Sequence, residues 1–486
     1  MHKRAQGRCP TVTVQDLTDR HDKQRGEPTA AVHTAALGEF VSALTLDAVP
    51  EHVRAHAKLD ILDTLGCALF GRGLPIADVL EKALQVGDSA GGATVWGGGS
   101  WRTSPATAAF VNGTLAHSFE LDDLHHVAIL HPGGTTLPAT AAVAEVTGSG
   151  DGADLLTAHI AGLEVSSRVG LAVGVPLLMR GWHNNGVLGV FGAASGAARV
   201  QGLSAVQSQH AIGIAGSLAC GLMAAQYGAM VKRAHAGNAA QVGVRAGLLA
   251  AQDFTGIEAI FEEPYGGFLS TFADDHVIDE LSKDLGTRWE TVNVGFKPYS
   301  SCGSTHSTVD TVLKLQREHG FRAGEITRVR VGASTATRDH VGWRYVPDQT
   351  ITAQMNLSYA ASVALIDGEC FVDQFVDSRL RDPEILELAS KFEITGDPEI
   401  DAGGRSHRHE VKVLVELADG RELRGHTDAA PGSAVHPLSP DTIRAKFMNL
   451  AGRRVGERNA AEILRTVENL EELTDLGVLW RLLANN

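Results

Sequence analysis

Apolar residues recur at helical spacing through the first half of the chain. Leu37, Phe40, Val41 and Leu44 fall at i, i+3, i+4 and i+7, and Ile61, Leu65, Ala68 and Leu69 repeat the stripe, which predicts two amphipathic helices. Ser104-Pro105 predicts a helix start, because the serine oxygen caps a free N–H and proline occupies a first-turn position that needs none. Alanine-rich runs at Ala106–Ala116, Pro138–Val146, Val187–Val200 and Ala239–Ala251 predict further helices. With 54 glycines in the chain, these helices are expected to approach one another closely. Ala211 to Val231 carries no charge and predicts a buried central helix, with Gly213, Ser217 and Gly221 on a close-contact face.

The pattern changes after about Asn293. Glu325–Val331 alternates polar and apolar positions, as do Val411, Val413, Val415 and Leu417 around Lys412 and Glu416. Asp419-Gly420 then marks a turn into Arg421–His426, predicting a β-hairpin. Helical segments are expected at His306–Glu318, Met355–Asp367 and Pro383–Phe392. They return at Asp441–Leu450 and Ala460–Leu483 after the start signal Ser439-Pro440-Asp441. A chain of 486 residues exceeds one core, so two domains are expected. The reading is mainly α. A helical domain, discontinuous over 31–294 and 439–486, holds a smaller α+β unit over 295–438, and residues 1–30 form a flexible tail.

Composition narrows the function. Net charge is −15, from 42 basic and 57 acidic residues, which argues against nucleic-acid binding but leaves room for a local cation cluster and an anionic substrate. Cys9, Cys67, Cys220, Cys302 and Cys370 are widely spaced without a C-x-x-C pair, which fits a reducing cytoplasm and argues against a disulfide framework or zinc knuckle. Met1 to Thr29 lacks the apolar core of a signal peptide, and Ala211–Val231 has no second span beside it, so no membrane partner is expected.

Two stretches carry the chemistry. His117-Ser-Phe-Glu-Leu-Asp-Asp-Leu-His-His-Val-Ala-Ile-Leu-His131 sets three carboxylates and four histidines in fifteen residues. Val231-Lys-Arg-Ala-His-Ala-Gly-Asn238 sets a lysine, an arginine and a histidine after the uncharged segment. Acids, bases and cations in an apolar setting suit proton transfer beside a substrate carboxylate. If the helix begun at Ser104 continues, Glu120 and Asp123 share a face and Asp122 points elsewhere. These carboxylates either orient a histidine and hold a substrate hydroxyl or form a solvated helix end. His131 is a candidate acid or base, and His125 and His126 read as surface residues. His183 precedes a helix N-terminus, where N–H groups favour an anion. Lys232 is either a desolvated acid–base group or a charge marking a helix end, and Arg233 and His235 are candidate anion-binding neighbours. Lys297 opens the α+β unit, where a hinge would let it close on a carboxylate. Tyr359 is either an oxyanion donor or core packing. Cys302 has no evident adjacent base and receives no nucleophile role. Gly186, Gly189 and Gly192 lack the strand and acid of a dinucleotide site. Histidines beside aspartates raise a metal-dependent hydrolase as a rival, against which no H-E-x-x-H stands in the chain.

Leu62-Asp-Thr-Leu-Gly66, Asn112 through Asp123, His131-Pro-Gly133, Gly181-Trp-His183, Lys232 through Gly237, Phe296-Lys-Pro-Tyr299 with Thr305-His306, and Ser358-Tyr359 together resemble the MmgE/PrpD family, from about Thr34 to the C-terminus. The resemblance implies a large all-helical domain, a smaller α+β lid, an active site between them and a homodimer. It implies catalysis without metal, flavin or nicotinamide, and a small di- or tricarboxylate substrate. The family's activities include 2-methylcitrate dehydratase, cis-aconitate decarboxylase and iminodisuccinate epimerase. Each can follow from proton removal next to a carboxylate or a related electron flow, and dehydration is the first expectation. Epimerisation, decarboxylation and an inactive binding protein are the alternatives. The expected catalytic residues are His131, His183, Lys232, Tyr359 and Asp123. Glu120, Asp122, Lys297, His235 and Arg233 are expected to hold substrate. The family usually has aspartate where Glu120 stands, and cis-aconitate decarboxylase has threonine where Leu124 stands.

Overall fold

The computed structural model describes residues 29–86 and 91–485, so the expected tail lies almost wholly outside the described residues. The helices that position the site in the first part are α1 (Val32–Ala43), α2 (Glu51–Gly71), α3 (Pro105–Ala116), α4 (Gly133–Thr147), α5 (Gly152–Met179), α6 (Asn184–Val200), α7 (Ala205–Ser217) and α8 (Val231–Ala250), with a further helix over Pro75–Leu84 between α2 and α3. The predicted cap of α3 is present: Ser104 Oγ accepts the Thr107 N–H at 3.3 Å, and Pro105 takes the first helical position. α4 begins at Gly133, five residues before the predicted start, and carries Pro138 in its interior.

Small residues set the spacing. α6 packs between α5 and α8. A Cβ on Gly192 would lie 2.7 Å from the Gly162 carbonyl oxygen of α5, and one on Gly237 of α8 would lie 2.1 Å from the Phe110 carbonyl oxygen of α3. Only glycine permits these backbones to approach so closely. Among the described helices, α5 alone is long and apolar enough to cross a membrane, yet it is mostly buried in the protein. Its Arg168 pairs with Glu164 and donates to the Lys283 and Arg288 carbonyls at 2.6 Å each, which makes it a core helix with its charge satisfied.

The uncharged segment 211–231 is not one helix. α7 stops at Ser217, the chain runs irregularly to a 3₁₀ turn at Met223–Tyr227, and Gly228 sits at φ 118° before α8 begins. Leu218, Leu222, Tyr227, Met230 and Val231 are exposed. Lack of charge did not imply burial here, because glycine and a positive-φ turn end the helical hydrogen bonding.

A two-stranded ladder ties the two halves of the chain at one point. β1 (Leu124–His125) pairs antiparallel with β2 (Val294–Gly295). A four-stranded sheet follows, in the order β4 (Phe392–Gly396), β3 (Ile326–Ala333), β5 (Val411–Leu417), β6 (Glu422–Thr427). β3 and β4 are parallel, and the other pairs are antiparallel. The predicted hairpin is β5–β6, with Val411 opposite Thr427. Val411, Val413, Val415 and Leu417 are buried with α9 (Gly303–His319) and α10 (Leu357–Asp367) in one apolar cluster. The helix expected over 383–392 ends at Ala389, and Phe392 instead begins β4.

α11 (Pro440–Glu468) breaks at Gly456, which has φ 78°. The single helix expected over 460–483 is interrupted after Glu468 and resumes at Gly477. Phe447, Ile463, Val467 and Trp480 join the apolar core of α2 and α3, so the C-terminal helices bury their stripe against the N-terminal ones rather than the sheet.

Candidate active site

The long helix assumed through Asp123 does not exist. α3 ends at Ala116, and residues 117–130 form a turn and loop pinned by the β1–β2 ladder. Helical face geometry therefore does not govern Glu120, Asp122 and Asp123. Glu120 adopts φ 54°, a costly conformation for a side chain with a Cβ, and its carboxylate is buried.

Three cations surround that carboxylate. Lys232 Nζ and Arg233 Nη1 both donate to Glu120 Oε1. Lys297 Nζ lies 3.3 Å from Oε2 and 3.1 Å from the Glu120 carbonyl oxygen. Burial alone would raise the Glu120 pKa, but the three cations outweigh it and hold the group well below the usual carboxylate range. Desolvation lowers the Lys232 pKa, partly opposed by Glu120. Arg233 Nη2 also donates to Gln354 Oε1 at 3.0 Å, and Gln354 donates to the Phe119 carbonyl, so the cluster crosses between the helical and sheet-bearing parts.

A row of imidazoles lies beside the cations. His117 Nδ1 and Asp122 Oδ2 are 2.8 Å apart, and His131 Nδ1 lies 3.4 Å from the same oxygen without hydrogen-bond alignment. His117 stands between His131 and His183, with ring centroids at 4.8 and 5.8 Å. His183 Nδ1 contacts His235 Nδ1 at 2.8 Å, so one of the pair must donate and the other accept. Burial lowers the pKa of all four: His131 to about 3, His235 to about 4, and His117 and His183 below the usual value. Burial would raise Asp122, but His117 and His131 hold it below its ordinary value. The predicted placement of His183 is present: it is the residue immediately before α6. The next two residues lock the loop, with Asn185 Oδ1 accepting the His131 N–H at 2.9 Å and Asn184 donating to the Ala128 and Gly174 carbonyls.

Glu120, His131, His183, Lys232 and Lys297 line one cavity. Arg233, His235 and Asp122 contact these lining residues from behind. Besides these three, the predicted residues Asp123 and Tyr359 do not line the cavity either. Asp123 points the other way, accepts the Gly133 N–H at 2.9 Å at the start of α4, and meets Asp60; burial and neighbouring acids push its pKa up. Tyr359 is buried in the apolar cluster beneath the sheet and donates its hydroxyl to the Gln374 carbonyl at 2.7 Å. Its other expected reading, core packing, describes this position.

Other residues at the site carried no predicted role. His125 and His126 are not surface residues: His125 is buried against Glu290 at 3.2 Å, and His126 lines the cavity. Lys446 of α11 reaches beneath the site, pairs with Asp63 at 2.6 Å and donates to the Leu121 and Lys297 carbonyls. No local signal marks it, since its partners are more than 140 residues away. His117 could be suspected only from its place in the histidine-rich stretch. One nitrogen each of His117 and His131 and an Asp122 oxygen lie within 4.8 Å of one another, a grouping among the described residues close enough to share a metal ion.

Cys302 does have a base beside it. Its Sγ lies 3.9 Å from His340 Nδ1, it precedes the first residue of α9, and both residues line the cavity. Burial would raise the thiol pKa, but His340 brings it down to about 6. Iodoacetamide labelling of Cys302, followed by peptide mass spectrometry, is expected to be half-maximal near pH 6, and His340→Ala is expected to move the midpoint upward. A wild-type midpoint at the free-thiol value of about 8.5 would remove this pairing.

Residues 35–280 match the family model described as the MmgE/PrpD N-terminal domain, and residues 299–472 match the MmgE/PrpD C-terminal domain. A cis-aconitate decarboxylase of Aspergillus terreus is 34% identical over 93% of this chain and 95% of its own. Proteins of the same name from Mus musculus and Homo sapiens are each 28% identical over 93% of this chain, covering 93% and 94% of their own length.

Proposed function

The chain belongs to the MmgE/PrpD family, and on that premise we propose that it is a lyase of a small di- or tricarboxylate whose favoured reaction is decarboxylation of a cis-aconitate-like acid. One observation carries the reading: neutral imidazoles and a net-positive ion cluster converge on one cavity. Lys232, Arg233 and Lys297 against the single carboxylate of Glu120 leave an excess of positive charge for a substrate anion. The relatives' names support CO₂ as the leaving group, ahead of the dehydration favoured by residue types alone.

In this scheme the bond to one substrate carboxylate breaks and leaves its electron pair on carbon. An adjacent double bond relays the pair toward a second carboxylate, and the carbon beside that carboxylate takes up a proton. Lys232 and Lys297 stabilise the developing negative charge. Lys232, whose ammonium is made more acidic by burial, supplies the proton. His131 and His183 are neutral because they are buried, and they accept and pass on protons while Asp122 orients His117 and His131. Glu120 holds the cations in place, Arg233 ties them to Gln354, and His235 sets the His183 tautomer. Asp123 fixes the His131 loop through Gly133, and Tyr359 supports the lid from its core.

Leu124 lines the cavity where cis-aconitate decarboxylase is expected to have threonine, which favours a substrate with an apolar substituent at that wall. Proton NMR in D₂O with cis-aconitate, citrate, methylcitrate, malate and iminodisuccinate separates the reactions. CO₂ release with one deuteron entering the alkene product is the expected result, unchanged by a chelator. Alkene formation from a hydroxy acid without CO₂ would replace the proposal with dehydration, and α-deuteration without net loss would replace it with epimerisation. Binding without turnover would leave a non-catalytic protein, and chelator-sensitive hydrolysis would support the metal reading. The division at 295 and 438 into helical and lid domains, a homodimer and cytoplasmic residence complete the proposal; light scattering tests the dimer.

A further inference from the structure

Decarboxylation consumes one proton per turnover, because a C–H bond replaces the bond to the departing carboxylate. In the scheme above Lys232 gives that proton, so its amine must be recharged before the next cycle. The approach through the cavity is closed while an acid lies against Lys232 and Lys297. Behind Lys232 most neighbours cannot deliver a proton. Arg233 stays charged and has no acceptor, and the surrounding cations hold Glu120 ionised. His117 is 0% exposed, and its Nε2 is shielded without a partner, as is Oδ1 of the neighbouring Asp122. That branch ends inside the protein.

The His183 branch does not. His183 lines the cavity with Lys232, and its Nδ1 meets His235 Nδ1 at 2.8 Å. His235 stands near the start of α8, three residues after Lys232, and lies outside the cavity lining. It nevertheless keeps 8% exposure, so its open side faces away from the cavity. One strap of chain covers it there. A Cβ on Gly221 would lie 3.4 Å from the His235 ring, and the Gly221 carbonyl accepts the His183 N–H at 2.9 Å. The flanking Cys220 and Leu222 are exposed. Two imidazoles joined nitrogen to nitrogen can each take a proton on one side and release one from the other.

We infer that His235 and His183 form a proton relay that recharges Lys232 from solvent beneath the 220–222 strap. This rests on the decarboxylase reading and goes beyond it by naming the source of the proton. His235 takes a proton from water at its outer nitrogen and passes its Nδ1 proton to His183 Nδ1. His183 releases the proton on its other nitrogen to the neutral Lys232 amine. The two rings then return to their starting tautomers, and one solvent proton has been consumed for each CO₂ released. His235 acts through His183 and does not touch the substrate.

Rapid-quench measurement of CO₂ release from cis-aconitate by the full chain tests this. His235→Ala is expected to release its first CO₂ at the wild-type rate, because Lys232 already holds that proton. Later turnovers are expected to slow about 10²-fold, the low end for a positioned proton-transfer group, with KM little changed. Added imidazole is expected to restore them in proportion to its concentration. His235→Gln can still pair with His183 Nδ1 and fix its tautomer but relays no proton, so it is expected to show the same slowing. It also carries the test if the alanine variant does not fold. Equal slowing of first and later turnovers would overturn the inference, as would a glutamine variant with wild-type steady-state turnover or an alanine variant that imidazole does not rescue. A wild type that releases no CO₂ would instead overturn the decarboxylase reading.

Discussion

Glu120→Gln is expected to abolish turnover and to destabilise the fold by about 3–5 kcal/mol, the cost of removing one partner from a buried ion pair. The variant keeps the size of the side chain and removes its charge. Lys232, Arg233 and Lys297 then face one another in a buried setting without their shared carboxylate. They must shed a proton, move apart or draw in water, and each response dismantles the anion-binding wall. Glu120→Asp keeps the charge on a side chain one methylene shorter, so its stability is expected to stay much nearer wild type. Urea unfolding checks this: the midpoint should fall for glutamine with little change in slope, and much less for aspartate. A glutamine variant as stable as wild type would mean that the three cations do not depend on Glu120.

His131→Ala is expected to lower kcat by about 10²–10⁴-fold, the usual contribution of a positioned acid or base. KM should change less, because the carboxylate-holding cations remain. Burial has brought His131 to about pKa 3, so it is neutral throughout pH 5–8 and should add no inflection to the wild-type rate profile there. The same shift has a sign for stability. An unfolded histidine titrates near 6.5, so between about pH 6.5 and 3 the unfolded chain binds the proton that folded His131 refuses. Its contribution is present above pH 6.5 and is lost as pH falls toward 3. His126 and His159, also brought to about 3 by burial, act in the same direction. Unfolding at pH 7.5 and pH 5 should show a smaller acid-induced loss in His131→Ala than in wild type. Equal losses would indicate that His131 is not held neutral by its surroundings.

Much of the architecture was legible because it depends on local periodicity. The stripes in α1 and α2, the Ser104-Pro105 cap and the β5–β6 hairpin each have a short-range cause. Expectations failed where one composition permits two backbones. The uncharged stretch to Val231 ended in a turn at Gly228, and Phe392 started a strand rather than ending a helix. Site residues divided along the same line. His131, His183, Lys232 and Lys297 could be picked out by residue type and motif, and all four line the cavity. Tyr359 belonged to the same resemblance, yet its hydroxyl turns into the lid core.

From residue order alone came the helical and hairpin patterning, the excess of acids and the chemical types able to move protons beside a carboxylate. Only the tertiary structure decided that Glu120 binds three cations, that Asp123 turns away beside Asp122 and that Cys302 meets His340. Periodicity and capping act over a few residues and are written in neighbouring side chains. Desolvation and ion pairing depend instead on groups brought together across more than a hundred positions, as Lys232 is to Glu120, and no local stretch records which of them will meet.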